Sequence, residues 1–258
     1  MAHTSFHRFL RTRQAAIGLP LAAGILVLVL WEFSIKIFNI PQFILPAPTA
    51  IWRAFLEWSD VVAKHSWVTA QSTLLGFGIA VLLGVVLGFS IGYSRLAYTV
   101  LYPLLIGFNT IPKVALVPLL AIWFGVGMTP AVITAFTLAF FPIAVNVAVG
   151  LDTVEPEMQD VLRALGASQW EMFIKVGLPH SLPYLFASLK IAISSAFIGS
   201  VISETVASNS GVGYLIVSAS SSFDVPLAFV GLLVLAAMGI VLYTFFASLE
   251  RFVIRWSR

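Results

Sequence analysis

The residues able to do chemistry in this chain are few: an isolated lysine and glutamate in long apolar stretches, and one charged loop broken by glycine. Lys113 stands between Pro112 and Pro118, the one charged residue between Arg95 and Asp152. An ionisable group at membrane depth is costly enough to mark a functional position. Prolines on either side free backbone carbonyls and suit a broken helix lining a water-filled cavity. Lys113 therefore either faces a solute pathway and attracts an anion, or is held structurally by Glu204 or by carbonyls near the bend. Asn109, Thr110 and Asn146 have two roles open to them, pathway lining or interhelical hydrogen bonding, with the second favoured for Asn146. Glu204 is expected near the outer end of a span, as an outer-gate hydrogen-bonder or, the preferred reading, as an interfacial carboxylate. Lys190 is expected to snorkel to the cytoplasmic interface.

The second constellation is Glu155–Pro179. Pro156 suits the first turn of a helix, and Glu155, Glu157 and Asp160 favour its positive N-terminal end. Met158, Val161, Leu162 and Leu165 follow at helical spacing as one apolar stripe. Gly166 stops that helix, and Ser168 with Glu171 forms the capping box of another. Trp170, Phe173, Ile174 and Gly177 line one face of the second helix, which Leu178-Pro179 is expected to end. The result is a helix–glycine–helix elbow whose apolar stripe needs a cover. An amphipathic hairpin on the bilayer surface and a docking surface for a soluble partner are both open.

Other chemistry has little support. The four histidines, His3, His7, His65 and His180, lie outside the expected span cores, and no His-Glu-x-x-His occurs, so no catalytic residue or metal site is assigned. There is no cysteine, hence no disulfide or thiolate site. No Gly-x4-Gly-Lys-Ser/Thr loop is present to hold nucleotide phosphates, so no cofactor site is assigned either.

The elements that position these residues follow from composition. Of 258 residues, 60% are hydrophobic and 10% charged, far from a soluble domain's balance, which excludes a soluble enzyme, a disordered chain and a nucleic-acid binder. The fold class is all-α and polytopic. Charge-free intervals predict six spans near 17–38, 67–93, 98–124, 131–151, 184–204 and 226–249, with Gly125–Pro130 as a turn. Arg8, Arg11, Arg13, Arg95, Arg163, Lys175, Arg251, Arg255 and Arg258 then share one side, against Lys36, Arg53 and Lys64 on the other. By the positive-inside rule both termini and the 152–183 loop are cytoplasmic. The basic start could also be a cleaved signal, but no clear small-residue cleavage site follows. The chain is divided into an N-terminal segment (1–16), a first span with an outer loop (17–66), a core (67–249) and a basic tail (250–258). In the outer loop Pro41, Pro46 and Pro48 enforce extension, and Thr49 is expected to cap a short helix carrying Trp52, Phe55, Leu56 and Trp58. Gly84, Gly88 and Gly92, with Gly76 and Gly78, permit close helix packing, a dimer contact included. Gly211-Val212-Gly213 reads as a flexible outer turn, with a re-entrant segment as the alternative.

The elbow resembles the coupling loop of binding-protein-dependent ABC importer permeases, whose pattern is Glu-Ala-Ala, three residues, Gly, nine residues, Ile, one residue, Leu-Pro. Gly166, Val176 and Leu178-Pro179 match it, and Asp160-Val161-Leu162 replaces Glu-Ala-Ala, keeping an acid but enlarging both alanines. Leu45-Pro46-Ala47-Pro48, Ile111–Leu119, Ile122-Trp123-Phe124-Gly125, Phe140-Phe141-Pro142-Ile143 and Ser208–Leu215 are similar to the nitrate/sulfonate/taurine branch of that family. The resemblance implies a translocation-pore subunit coupled through Asp160, Arg163, Ala164, Leu165, Gly166, Ala167, Ser168, Leu178 and Pro179. It implies two cytoplasmic ATPase subunits that bind the ATP and Mg, a second permease copy (a homodimer before a heterodimer), an external binding protein, membrane lipid, and a bacterial-type inner membrane. The implied cargo is a small anion such as a sulfonate, taurine or nitrate. A heterocyclic vitamin precursor, or a stand-alone secondary transporter, is the alternative.

Overall fold

The computed structural model describes residues 13–154, 157, 161, 162 and 164–254. The basic residues Arg8, Arg11, Arg255 and Arg258, and the elbow residues Glu155, Pro156, Met158, Asp160 and Arg163, lie outside them. All regular elements among the described residues are helical: α1 (Arg13–Ile37), α2 (Pro48–Glu57), α3 (Ser59–Tyr93), α4 (Arg95–Thr110), α5 (Val117–Phe124), α6 (Met128–Asp152), α7 (Gln169–Met172), α8 (Leu178–Ala207), α9 (Val212–Ser221) and α10 (Val225–Val253). Five helical stretches are long and apolar enough to cross a membrane, and α4 with the Lys113–Phe124 stretch makes a sixth span bent by 73°. The expected third span is thus broken near its middle rather than straight. The chain groups into two compact units, Met1–Ser59 with Ser218–Val230, and Asp60–Val217 with Gly231–Arg258.

In the first unit, Pro48 at the head of α2 lacks the N–H that a helix start leaves unused. Thr49 does not cap this helix. Its N–H and hydroxyl both donate to the Glu32 carboxylate of α1, at 3.2 and 3.0 Å, and Lys36 pairs with the same carboxylate at 2.9 Å. An acid from another helix has taken the capping role.

The second unit carries the sites. Gly76, Ala80, Gly84, Gly88 and Gly92 form an i, i+4 stripe along α3 that packs on α6. A Cβ at Gly88 would lie 2.6 Å from the Ala144 carbonyl, and one at Gly76 2.6 Å from the Val132 carbonyl. The stripe is occupied by this chain's own helix, so it is not open to a second copy; Gly78 faces open space. Helices α3 and α6 run parallel, since Gly76 meets Ala135 and Gly92 meets Leu151. Helix α8 returns antiparallel, with Gly150 against Tyr184 and Gly199 against Thr134. Alanines 135, 139, 192 and 196 are fully buried between them, the close packing that small residues allow without hydrophobic drive in lipid. Tyr93, Leu151 and Gly177 mark one end of this bundle, here the elbow end, and Thr69, Thr134 and Glu204 approach the other, the far end.

Helix α3 begins at Ser59, eight residues before the expected span, because charge at Lys64 marks a membrane boundary and not a helix end. Its 35 residues reach about 52 Å, well beyond the hydrocarbon thickness. Gly211-Val212-Gly213 is not a flexible turn but the start of α9, whose 10 residues are too short to cross.

Candidate functional site: exposed elbow, broken span and buried carboxylate

At the elbow, Val161, Leu162 and Ala164 are helical, and Gly166 at φ +80° terminates the helix. The Ala167 N–H donates to the Leu162 carbonyl at 3.0 Å, the six-to-one bond of a Schellman ending. The capping box forms in full: Ser168 N–H donates to Glu171 Oε2 at 2.9 Å, and Glu171 N–H donates to Ser168 Oγ at 3.2 Å. These bonds, with Lys175 nearby, hold the Glu171 carboxyl below its ordinary value.

The second elbow helix does not end at Leu178-Pro179. A π turn, Phe173–Gly177, joins α7 to α8, with the Leu178 N–H reaching back to the Phe173 carbonyl. The extra residue widens the helix just before Pro179, so the missing proline N–H is absorbed without a break. Phe173 turns inward, edge-on to Phe89 and Tyr93, and Met172 is buried. Val161 and Leu165, 60% and 78% exposed, and Ile174 are left uncovered. The expected single face of Phe173, Ile174 and Gly177 is therefore divided between a packed side and a free side.

In the broken span, Ile111 is extended, as a residue before proline prefers, and the chain restarts as a 3-10 turn at Lys113–Leu116. Lys113 is 7% exposed. Its Nζ donates to the Asn109 carbonyl at 3.1 Å and to Asn109 Oδ1 at 2.7 Å. The Asn109 carbonyl would have accepted the Lys113 backbone N–H in an unbroken helix, so the ammonium replaces that lost donor. It also places a cation at the negative end of α4. Thr110 Oγ donates to the Gly107 carbonyl at 2.7 Å. Lys113 makes no ion pair among the described residues, and Glu204 is not its partner: the structure brings Lys113 to Asn109 and holds Glu204 elsewhere.

Glu204 is 1% exposed, not interfacial. Oε2 accepts from Thr69 Oγ at 2.8 Å and from the Gly213 N–H at 3.1 Å. Oε1 lies 3.2 Å from Ser72 Oγ and 3.4 Å from Ser200 Oγ; since the two serine hydroxyls also bond to each other, one donates to its neighbour and the other to the carboxylate. Thr69 Oγ accepts from the Val212 N–H at 2.8 Å, and His65 Nδ1 accepts from the Gly211 N–H at 3.0 Å. Three orphan donors at the head of α9 are thus satisfied by side chains of α3 and α8, and the positive helix end offsets the buried charge. His65, Thr69, Ser72 and Ser200 were not singled out from sequence. The available signal was hydroxyls at helical spacing, Thr69 with Ser72 and Ser200 with Glu204, on otherwise apolar helices.

Two further readings change. The Asn146 side chain donates to the Pro142 carbonyl of its own helix at 2.8 Å, so it is not glue between helices. Lys190 pairs with Glu250 at 2.6 Å, both side chains about a quarter exposed.

The family described as the binding-protein-dependent transport system inner membrane component matches residues 80–257. The chain is 34% identical over 246 residues to the riboflavin transport system permease protein RibX of Chloroflexus aurantiacus, covering 94% of this chain and 91% of the relative. It is 28% identical to the formylaminopyrimidine transport permease protein ThiX of Halalkalibacterium halodurans, over 93% and 96% of the two chains. A Bacillus subtilis protein named for aliphatic sulfonates transport, SsuC, is 29% identical over 93% and 87%. The inward-facing methionine ABC transporter MetNI superposes with a TM-score of 0.67 at 19% identity, covering 77% of this chain and 99% of that one, which establishes a shared fold.

Proposed function

Because this chain belongs to the inner-membrane components of binding-protein-dependent transport systems, we propose that its elbow is where ATPase subunits push, and that Lys113 meets an anionic cargo on the way through. The chain is the non-catalytic permease subunit of an ABC importer, and ATP is hydrolysed on separate subunits. What remains to assign is the coupling contact, the assembly, the orientation and the cargo.

The observation that carries the coupling assignment is the exposure of Val161 and Leu165 on a turn that is stiff by construction. A Schellman ending and a complete capping box fix both sides of Gly166, so a partner seated on the apolar residues can move the turn as a unit. Asp160, Arg163, Ala164, Leu165, Gly166, Ala167 and Ser168 form that seat. Leu178 and Pro179 serve differently, as the start of the helix that carries motion inward. The elbow end is then cytoplasmic, with both termini, and the partners are two ATPase subunits holding ATP and Mg, a second permease copy and an external binding protein.

The test is recovery of the tagged chain from membranes in mild detergent, comparing the parent with Gly166→Trp. An ATPase subunit is expected with the parent and not with the variant, at equal membrane content. Equal recovery from both overturns the assignment of the elbow.

For the cargo, Lys113 supports an anion such as a sulfonate, taurine or nitrate. The ammonium has three donors, gives two to Asn109, and has no ionic partner among the described residues. A second reading, a heterocyclic vitamin precursor, is favoured by the similarity to RibX and ThiX. Uptake of radiolabelled ethanesulfonate and riboflavin by the whole transporter separates the two.

A further inference from the structure

We propose that Glu204 is a positioning residue of the transport cycle: it clasps α9 to the far end of α8, so that movement entering at the elbow leaves the bundle through α9. This rests on the reading above that ATPase subunits act at the elbow.

The first link is mechanical continuity. From the capping box the chain is helical without interruption through α7, the π turn and α8. Met172, Gly177 and Leu178 all hold helical φ/ψ, at −60°/−42°, −58°/−52° and −63°/−52°. Phe173–Ala207 alone is 35 residues, a rod of about 52 Å. A displacement of the elbow is therefore a displacement of the base of this rod.

The second link is the joint at its other end. Glu204 stands three residues from the end of α8 and accepts the Gly213 N–H of α9, while Thr69 and His65 of α3 accept from Val212 and Gly211. The joint is built for one geometry. Gly211 sits at φ +98°, and a Cβ there would collide with the Glu204 carboxyl group. A Cβ at Gly213 would lie 2.6 Å from the Val201 carbonyl of α8. Thr69, Ser72 and Ser200 are completely buried, so water is not at hand to replace a broken bond, and opening the joint strands polar groups in apolar surroundings. The carboxylate, the groups bonded to it and the helix head thus move as one piece.

Because the chain contains no cysteine, a single Val217→Cys on α9, at a site 41% exposed, is its one thiol, and label read on this chain's own gel band reports this helix. The measurement is its rate of N-ethylmaleimide labelling in proteoliposomes holding the whole transporter with its copurified ATPase, nucleotide-free against ATP–vanadate-trapped. With Glu204 and Thr69 intact the two rates are expected to differ by about threefold or more. In Thr69→Val, which keeps the shape but removes the hydroxyl shared by Val212 and the carboxylate, the difference is expected to vanish while ATP hydrolysis continues. Glu204→Leu should do the same. Glu204→Gln should restore it, since its carbonyl can accept from Thr69 and Gly213 while its amide donates to the Ser72 and Ser200 hydroxyls. Equal rates in the parent, or a difference that survives in both Thr69→Val and Glu204→Leu, overturns the proposal with the elbow reading untouched. So does loss of ATP hydrolysis in both variants, because the joint would then serve assembly and not transmission. If no ATPase copurifies with the parent, the elbow reading itself fails and this proposal falls with it.

Discussion

Glu171 and Glu204 both accept main-chain N–H groups at the start of a helix, one in the open at the elbow and the other sealed among three helices. The exposed carboxylate serves its own helix, three residues from its partner Ser168, with water as a standing substitute. The buried one serves a helix nine residues further on and depends on hydroxyls from α3, 132 and 135 residues away. The same chemistry therefore does two jobs. At the elbow it stiffens a local turn that a partner can seat on, and at the far end it welds separate elements together. Local rules identify the first and say nothing of the second.

The sharpest way to break this comparison is one substitution made in both regions. Gly166 and Gly211 both hold positive φ, +80° and +98°, but a Cβ at Gly166 meets open space and one at Gly211 meets the Glu204 carboxylate. Gly166→Ala should cost about 1 kcal/mol, from backbone strain alone. Gly211→Ala adds overpacking against a group that cannot retreat, for a total of about 3–4 kcal/mol. Thermal unfolding midpoints of the two purified variants check this, and equal midpoints would mean that the far end is as yielding as the elbow.

Removing the carboxylates is the next test. Glu204→Ala strands the Gly213 N–H, while Thr69 and Ser72 fall back on main-chain carbonyls of their own helix, a loss of about 2 kcal/mol. Glu171→Ala should leave the global unfolding midpoint unchanged and speed amide exchange only around residues 168–171. A global shift in Glu171→Ala as large as that in Glu204→Ala would deny the division between a local stiffener and a weld.

These two regions also show where sequence was informative. Gly166, Ser168 and Glu171 lie within six residues of one another, so capping rules identified stop and restart from spacing alone. The charge-free intervals located the six spans because lipid tolerates few other patterns. What was not legible depends on distant partners. Whether Glu204 is interfacial or buried turns on Thr69 and Ser72, and whether Thr49 caps α2 turns on Glu32. Leu178-Pro179 looked like an ending because proline removes a donor, and only a π turn shows how the helix continues. Lys113 was legible as an oddity, but its bond to Asn109 replaces a backbone donor that is lost only because the span bends there.

Lys113 offers a third case, this time a cation, a buried ammonium with one donor not given to Asn109. If it meets an anion, Lys113→Met should lower ethanesulfonate uptake by about tenfold, the effect of one lost charge-assisted hydrogen bond, at unchanged membrane content. If it serves only to close the end of α4, uptake of any cargo should fall in step with the amount of folded protein. Riboflavin uptake that is indifferent to Lys113→Met would turn the cargo assignment toward the heterocyclic reading.

The smallest effect expected is the pH response of the elbow. Bonds from Ser168 hold the folded Glu171 carboxyl below its ordinary value of 4.5. A carboxyl depressed by folding contributes stability that is present above the unfolded value and is lost as the pH falls through the folded one. The capping box should therefore be fully formed at neutral pH, begin to weaken only below about pH 4.5, and be released when Glu171 takes up its proton. Amide exchange at residues 168–172, corrected for the intrinsic pH dependence, should be flat from pH 7 to about 5 and then lose protection, with Glu171→Gln flat throughout. Because the group is exposed, salt should shrink the Lys175 contribution while leaving that of the Ser168 bonds, so an acid response abolished by salt would assign the stiffness of the turn to the ion pair instead of the capping box.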